Sequence, residues 1–477
     1  MSLNKNIVSG VFWTSIDKFG VQFIQFVLSI IIARILSPED YGLVGLAAVF
    51  IAFSQVFVDS GFGKALVQYN NPNKNDFSTV FYFNFLISCL LYGIIFLLSP
   101  YIALFYEMPL LKNLIRLIAL TLIIQSFNIV PNAIFSININ FRPLAISNSI
   151  ATIIGGGVGV WAAYSGFGVW ALAFMTLTSS LIRTISQWYQ SNWFPSLVFS
   201  FDSLKNLYRF GGNLLASSLI DVLVRNSSGL FIGKLYSSKD LGFFTKGVDF
   251  ANTMSNTIIS VIFAVLFPSF SKIKNDKEKT LTIFKTSLRY VSLFVFPFFM
   301  LFSILAQPLI LALLTEKWLI TAIVFQYLVL ARMINMVALI NQQVLHGLGF
   351  SYITLKQEIL KSIVRFVFIL ISINFGIVWI AIGELIATAF NFFVNAYPLE
   401  KILKFGFIHQ LKEIKIIFIS SLIATLICYF LINLFEDIYL KLLFSPFVLS
   451  LIYLMFLELF KQQDYLLLRN KVINRFF

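Results

Sequence analysis

The sequence predicts an all-α polytopic membrane protein, and two observations carry that prediction while a third organises it. Apolar runs of about 20 residues, the length at which a helix crosses a hydrocarbon core, recur along the whole chain. Of the 477 residues, 59% are hydrophobic and 12% charged, with a mean hydropathy of +0.88. Soluble domains carry roughly twice that charged fraction. The third observation is an internal repeat: residues 32–42 read IARILSPEDYG and residues 232–242 read IGKLYSSKDLG. Large repeats of this kind build many secondary transporters, with the substrate site between the halves.

The repeat has readable local chemistry. Ser37-Pro38-Glu39-Asp40 is a helix start, in which Ser caps, Pro suits the first helical position and Asp answers three residues on. Ser237-Ser238-Lys239-Asp240 offers the same cap. Arg34 and Lys234 stand where the preceding helices end and face their negative dipole ends. Each copy is therefore a tight turn between two helices at a membrane surface.

About 14 transmembrane helices are expected, over about 9–34, 40–63, 77–99, 112–136, 143–164, 167–190, 206–234, 240–269, 284–306, 317–345, 352–374, 376–397, 413–434 and 440–460. The repeat motif joins the first span to the second and the seventh to the eighth. The expected organisation is two six-helix bundles related by the internal repeat, plus two C-terminal helices. The N-terminal bundle takes 1–190, a cytoplasmic linker 191–205 and the C-terminal bundle 206–397; residues 398–477 hold two further helices and a basic cytoplasmic tail. The opening MSLNKN is polar and no small-residue cleavage site follows the first apolar run, so the first helix is expected to stay.

Charge sets the expected orientation. The N-terminus, the even-to-odd loops and the C-terminal tail hold about 23 of the 35 Lys and Arg, the other side about 7. Both termini are therefore expected in the cytoplasm. This alternation also accounts for the net charge of +14 without nucleic acid. Trp188, Trp193 and Pro195 suit a linker lying at the membrane interface.

Polar residues inside the spans fall in rows at helical spacing. The first span carries Thr14, Lys18, Gln22, Gln25 and Ser29, with Asp17 alongside. The seventh carries Asn213, Ser217, Asp221, Arg225 and Ser228, and the eighth Lys246, Asp249, Thr253, Asn256 and Ser260. Later rows are Arg332, Asn335, Gln342 and His346, then Lys361 and Arg365, then Glu384, Thr388, Asn391 and Asn395. The fourth span carries Gln125, Asn128, Asn132 and Ser136. Each row steps by three or four and so occupies one helix face.

Uncharged members of such rows commonly hydrogen-bond between membrane helices. Charges at membrane depth are costly and usually face a bundle interior or a watery cavity. Asp221 with Arg225, and Lys246 with Asp249, are spaced for local ion pairs, whereas Lys18, Arg332 and Arg365 have no carboxylate at helical spacing. The candidate substrate-binding cations are Lys18, Arg225, Lys246, Arg332 and Arg365. Asp17, Asp221, Asp249 and Glu384 are candidates for ion coupling or charge balance, and Gln22, Gln25, Asn213, Asn256 and Asn335 for polar cavity lining. The excess of interior cations points to an anionic substrate, for which phosphate and diphosphate are suited.

Other chemistries lack their signatures. Cys89 and Cys428 lie in apolar runs, and with only His346 and His409 beside them they predict no disulfide framework or metal site. Gly155, Gly156, Gly157 and Gly159 sit within the fifth span with no strand before them; Gly155 with Gly159, like Gly229 with Gly233, reads as a face for close helix packing. No G-x-x-x-x-G-K-[ST] and no D-x-D occurs, and every outer loop is short. ATP hydrolysis and a membrane glycosyltransferase or polymerase are accordingly disfavoured. No cofactor is expected; a proton or sodium gradient, or the membrane potential, remains as an energy source.

Residues 7–68, with ARILSPEDYGL and FVDSGFGKALVQ, resemble the polysaccharide transporter branch of the multidrug/oligosaccharidyl-lipid/polysaccharide exporter superfamily. They are similar to Wzx-type, colanic-acid-exporter-like flippases. RNSSGLFIGKLYSSKDLGFFTKG and Phe267-Pro268-Ser269-Phe270-Ser271 extend the likeness, with one departure: Ser228 stands where the family often has Asp. The resemblance implies two six-helix bundles around a central cavity in the bacterial cytoplasmic membrane. It also implies movement of undecaprenyl-diphosphate-linked sugar units to the outer leaflet by alternating access. Implied partners are that glycan lipid, the bilayer, and a polysaccharide polymerase and glycosyltransferases. The alternatives are a drug or cation antiporter of the same superfamily, which favours an acidic cavity, a lipid II flippase, and a membrane-embedded glycosyltransferase or polymerase.

Overall fold

In the computed structural model, the described residues are 13, 16–59, 61–68, 72–273 and 276–476; within them the side chains of 16–18, 64, 206–217, 220, 221, 261, 263–265, 267, 268, 351, 468 and 471–476 are not described. The described chain is helical and contains no strand. After a π-helical turn at Ile16–Val21, the helices are α1 (Gln22–Ile35), α2 (Pro38–Asp59), α3 (Phe62–Gln68), α4 (Lys74–Phe105), α5 (Pro109–Ser126) and α6 (Ile129–Ile137). There follow α7 (Arg142–Tyr164), α8 (Trp170–Ser191), α9 (Phe201–Leu235), α10 (Ser238–Lys272), α11 (Lys277–Ile304) and α12 (Ala306–Leu314). The series ends with α13 (Leu319–Gly347), α14 (Ser351–Ser372), α15 (Ile377–Leu403), α16 (Phe407–Ile432), α17 (Ile438–Leu459) and α18 (Gln463–Phe476).

The protein is a polytopic helical membrane protein. Among the described residues, nine helices are long and apolar enough to cross a membrane. They are α2, α4, α5 with α6, α7, α11, α13, α15, α16 and α17. The other long helices, α8, α9, α10 and α14, also coincide with expected spans. In α8 and α14, polar and charged positions such as Arg183, Lys356, Glu358, Lys361 and Arg365 set the helix apart from the nine.

Caps set many of the boundaries. Ser37 Oγ donates to Asp40 Oδ2 (2.8 Å) and accepts from the Asp40 amide (3.3 Å). Ser237 and Asp240 repeat this at 2.6 and 3.1 Å, so both copies of the repeated motif form the same reciprocal cap. Asn73 and Asp76 build a third such box at the start of α4. At α11, Asp276 accepts from the Lys279 amide at 3.0 Å; that bond, with the Lys279 ammonium, holds the Asp276 carboxyl below the usual carboxylate range.

The chain divides into two compact units, residues 1–245 and 246–477. In the first, α7 and α8 are the most extensively packed pair. Gly155 allows this: a methyl group there would lie 2.0 Å from Ser179 Oγ, and one at Gly159 would lie 2.8 Å from Met175 Cβ. Close packing of α7 on α8 is thus the role of Gly155 and Gly159. The repeat motifs also meet within this unit. A methyl group on Gly42 would lie 1.8 Å from the Ser238 carbonyl oxygen, and one on Gly242 would lie 1.8 Å from that of Pro38. The stretch after α8 is strapped to α4, because the Ser196 amide donates to Ser78 Oγ and the Ser200 amide to Thr79 Oγ1, both at 3.0 Å. In the second unit α13 is central, packed by α15 and α11, and α15 in turn packs on α14.

The expected fourth span is broken into α5 and α6 at Phe127-Asn128. Pro131 is the cause: it lacks the amide that would bond the Phe127 carbonyl, and its ring clashes there. The freed carbonyl accepts the Trp188 indole N–H at 2.9 Å. The same arrangement recurs three times. Pro100 frees the Phe96 carbonyl, which accepts Arg116 Nε and Nη2 at 3.3 and 3.2 Å. Pro297 frees that of Leu293, which accepts the Tyr453 hydroxyl at 2.9 Å. Pro398 frees that of Val394, which accepts Gln357 Nε2 at 2.6 Å. In each case a side chain of another helix supplies the donor that the proline lacks.

This pairing is testable in a double-mutant cycle. Tyr453→Phe strands the Leu293 carbonyl and should cost about 1–3 kcal/mol of unfolding free energy in detergent micelles. In a Pro297→Ala background, where an amide returns, the same change should cost close to nothing. Equal costs in both backgrounds would show that the hydroxyl does not serve this carbonyl.

Candidate functional site

The most deeply buried three-charge cluster among the described ion pairs lies in the second unit. Glu384 on α15 is buried, its side chain 3% exposed, and it takes both Arg332 and Arg365, neither of which has a carboxylate three or four residues away on its own helix. Arg332 Nη1 of α13 is 3.0 Å from its Oε1, and Arg365 Nη2 of α14 is 3.3 Å from its Oε2. Arg332 Nε also donates to Asn252 Oδ1 of α10 at 3.0 Å. Four helices therefore converge on one carboxylate and two guanidiniums with a net charge of +1.

Small residues make the convergence possible. Beside Glu384, a methyl group on Gly383 would lie 2.8 Å from Ser372 Oγ and 3.1 Å from the Phe368 carbonyl oxygen, so α14 approaches α15 closely. One on Gly247 would lie 2.9 Å from Val324 Cγ1, which presses α10 onto α13. Away from the cluster, Glu358 accepts Lys361 Nζ and Gln342 Nε2, each at 2.7 Å. Arg365, Lys361 and Glu358 share one face of α14.

The remaining candidates separate. Lys246 is buried to 1% exposure, its ammonium 5.7 Å from the Phe250 ring centroid. Asp249, one turn on, is exposed and acts on Lys246 electrostatically, as the local-pair spacing anticipates. In the first unit Gln22 is half-buried, while Gln25 and Arg225 are exposed; in the second Asn335 is half-buried and Asn256 exposed. Asp17, Lys18, Asn213 and Asp221 lie outside the described side chains.

Sequence reasoning missed a site residue in the first unit. Asp59 ends α2, where Gly61 turns the chain at φ 72° into α3. The break borders a cavity of about 490 Å3 lined by Asp59, Asn132, Ser136, Ser218, Ile129 and Val67, among others. Asp59 is the charged residue among the described lining, and it accepts Gln55 Nε2 at 3.0 Å. Gln55 Oε1 and Asn132 Oδ1 are buried acceptors with no donor among the described residues. The available signal was the Asp-Ser-Gly interruption of an apolar run, in a motif otherwise noticed only for its resemblance. Chemically, the first-unit cavity offers hydroxyl-binding groups and the second-unit cluster offers anion-binding ones.

A scan against protein families matches residues 31–323 to the family described as polysaccharide biosynthesis protein. The chain belongs to that family. Among curated relatives it is similar to the succinoglycan biosynthesis transport protein ExoT of Rhizobium meliloti, 26% identical over 66% of this chain and 64% of that protein. It is also similar to the teichuronic acid biosynthesis protein TuaB of Bacillus subtilis, 24% identical over 73% and 72%. The lipopolysaccharide biosynthesis protein WzxC of Escherichia coli is 25% identical over 67% of this chain and 65% of its own. The chain thus spans just under two thirds of the Rhizobium and Escherichia relatives it matches. Among solved structures, the lipid II flippase MurJ in an inward closed conformation shares the fold with a TM-score of 0.75 at 16% identity, over 95% of this chain and 99% of that one. An inward-facing multidrug resistance MATE family transporter gives 0.60 at 19% identity, over 82% and 99%. At these identities the likeness to both solved structures is one of fold.

The cluster's electrostatics make one prediction. Glu384→Gln leaves two buried guanidiniums without a carboxylate and should destabilise the protein by about 3–5 kcal/mol. Adding Arg365→Met to that variant should recover part of the loss in thermal unfolding. A Glu384→Gln protein as stable as the parent would show that the carboxylate does not neutralise the pair.

Proposed function

We propose that this protein is a flippase that moves undecaprenyl-diphosphate-linked oligosaccharide units from the inner to the outer leaflet for polysaccharide export. The observation that carries the reading is the buried two-arginine cluster, in a family whose relatives are named for polysaccharide biosynthesis and, in one case, for transport. The reading is of a transporter, not an enzyme. Glycosyltransferases would act before it and a polymerase after it.

In this mechanism the lipid tail stays in the bilayer while the head group crosses. A diphosphate in low dielectric needs cations with matching geometry, and guanidiniums supply paired donors. Arg332 and Arg365 fill that role, with Lys246 alongside and Lys18 and Arg225 expected to act from the first half. Glu384 balances the cluster while the site is empty, and the arriving diphosphate competes with it for both guanidiniums. Asp59, Asn132, Ser136 and Ser218 suit sugar hydroxyls, which carboxylate and amide groups bind well. The inside-negative potential favours outward movement by about 2.3 kcal/mol per charge per 100 mV. Proton or sodium coupling through Asp17, Asp221, Asp249 or Glu384 belongs to the same proposal, as does alternating access of the two halves.

Two measurements test the reading. Deleting the gene should leave lipid-linked repeat units accumulated on the inner leaflet with their synthesis intact; loss of synthesis would favour a glycosyltransferase instead. The proposed topology has 14 crossings, both termini in the cytoplasm, in the bacterial inner membrane. Reporter fusions after Ser37 and after Asn275 should then report opposite sides, and the same side for both would overturn that map.

A further inference from the structure

A second cavity, of about 450 Å3, lies at the start of α7 and the end of α8, in the first unit. Asn140, Arg142, Ile146, Tyr189, Gln190 and Asn192 line it. Arg142 is the charged residue of the described lining, and its guanidinium carbon lies 5.3 Å from the Trp13 ring centroid. A guanidinium over an indole face gains a cation–π attraction and can still present N–H donors to an oxyanion. The side-chain amides of Asn140 and Asn192 supply further donors beside it. The loop that carries Asn140 is held in an unusual conformation: Ile139 has φ 50°, rare for a β-branched residue, while its own amide and that of Asn140 are bonded to Ser136 and Phe135 carbonyls at 3.1 and 2.9 Å.

The surface below this cavity is apolar. On α7, Ile150 and Ile153 are 41% and 57% exposed; on α8, Leu181 and Ile185 are 45% and 63% exposed. They continue in helical steps from Arg142 and Ile146 on one helix and from Tyr189 on the other, so a single strip runs away from the polar cavity. Its length along α7, from Arg142 to Ile153, is about 16 Å at 1.5 Å per residue, close to one leaflet of a hydrocarbon core about 30 Å thick. Trp188, Tyr189 and Trp193 mark the same end of the bundle with the aromatic residues typical of a membrane interface.

We propose that this cavity binds the phosphate headgroup of an anionic phospholipid in the adjacent leaflet, expected to be the cytoplasmic one, with an acyl chain along the α7–α8 strip. The charge of Arg142, the donors beside it and the leaflet-length strip together fit that occupant. The proposal rests on the membrane fold and not on the flippase reading.

The test is lipid binding to the purified full-length protein in detergent micelles, followed by native mass spectrometry. Phosphatidylglycerol should bind in preference to phosphatidylcholine, and Arg142→Gln should weaken it about tenfold, the loss of one charge-assisted pair. Asn140→Asp, at an exposed side chain, puts a negative charge into the cavity and should weaken it similarly, which guards against a folding defect in the arginine variant. Equal binding of the two lipids, or no effect of either substitution, would overturn the proposal. So would phosphatidylglycerol binding no tighter than glycerol phosphate, which would make the cavity a soluble-phosphate site. Displacement of the phospholipid by lower concentrations of a polyprenyl diphosphate would assign the cavity to that lipid and overturn it likewise.

Discussion

Every polar backbone group of this chain that sits at membrane depth must find its partner within the protein. Water cannot reach it there, and an unsatisfied carbonyl costs several kcal/mol. Prolines within helices create such carbonyls one at a time, and the structure answers at Phe96, Phe127, Leu293 and Val394 with donors from other helices. The answering groups differ: a guanidinium, an indole, a phenol and a carboxamide. What they share is reach from a neighbouring helix to a point four residues before a proline. A packing contact between helices thereby becomes a specific one, because only one rotation of each helix brings donor and carbonyl together.

The same rule governs the charges. Arg332 and Arg365 each need a carboxylate, and α15 supplies one between them. A single acid for two guanidiniums satisfies the cost of burial incompletely, which is what an anion-binding site requires: enough neutralisation to fold, enough residual positive charge to attract a ligand. The Glu358–Lys361 pair is complete by comparison, and so is Glu413 with Lys285 and Arg289, which Asp464 also joins from α18. Among these ion pairs the excess of cation is at Glu384.

Much of this was legible in the sequence, and what was not follows a physical line. Helix positions, the two reciprocal caps and the close-packing glycines depend on residues within one turn of each other or on side-chain volume, and both can be read from a string. The partner of Arg332 and Arg365 could not be, because Glu384 stands on a third helix and helical spacing says nothing about pairing between helices. Asp59 was hidden for the opposite reason: its motif was conspicuous, but only the turn at Gly61 shows that the acid borders a cavity. Trp188 illustrates a partial reading. Its indole suits an interface, and it also repairs the break at Pro131 and packs on Phe81, Phe127 and Trp193 with ring centroids 5.8, 5.9 and 6.1 Å away.

The internal repeat can be explained by the contact it makes with itself. At Gly42 the first turn of α2 meets the carbonyl of Ser238, and at Gly242 the first turn of α10 meets the carbonyl of Pro38. The contact is reciprocal: the same position in each copy abuts the same end of the other. A two-fold relation between the helix starts is the arrangement that satisfies both at once. A side chain on either glycine would push against backbone, which cannot swing aside as a long side chain can. The reciprocal Ser–Asp caps hold each first turn in shape where the other presses on it. Cap and glycine are therefore one device, and each copy of the motif needs both because each is the surface against which the other packs.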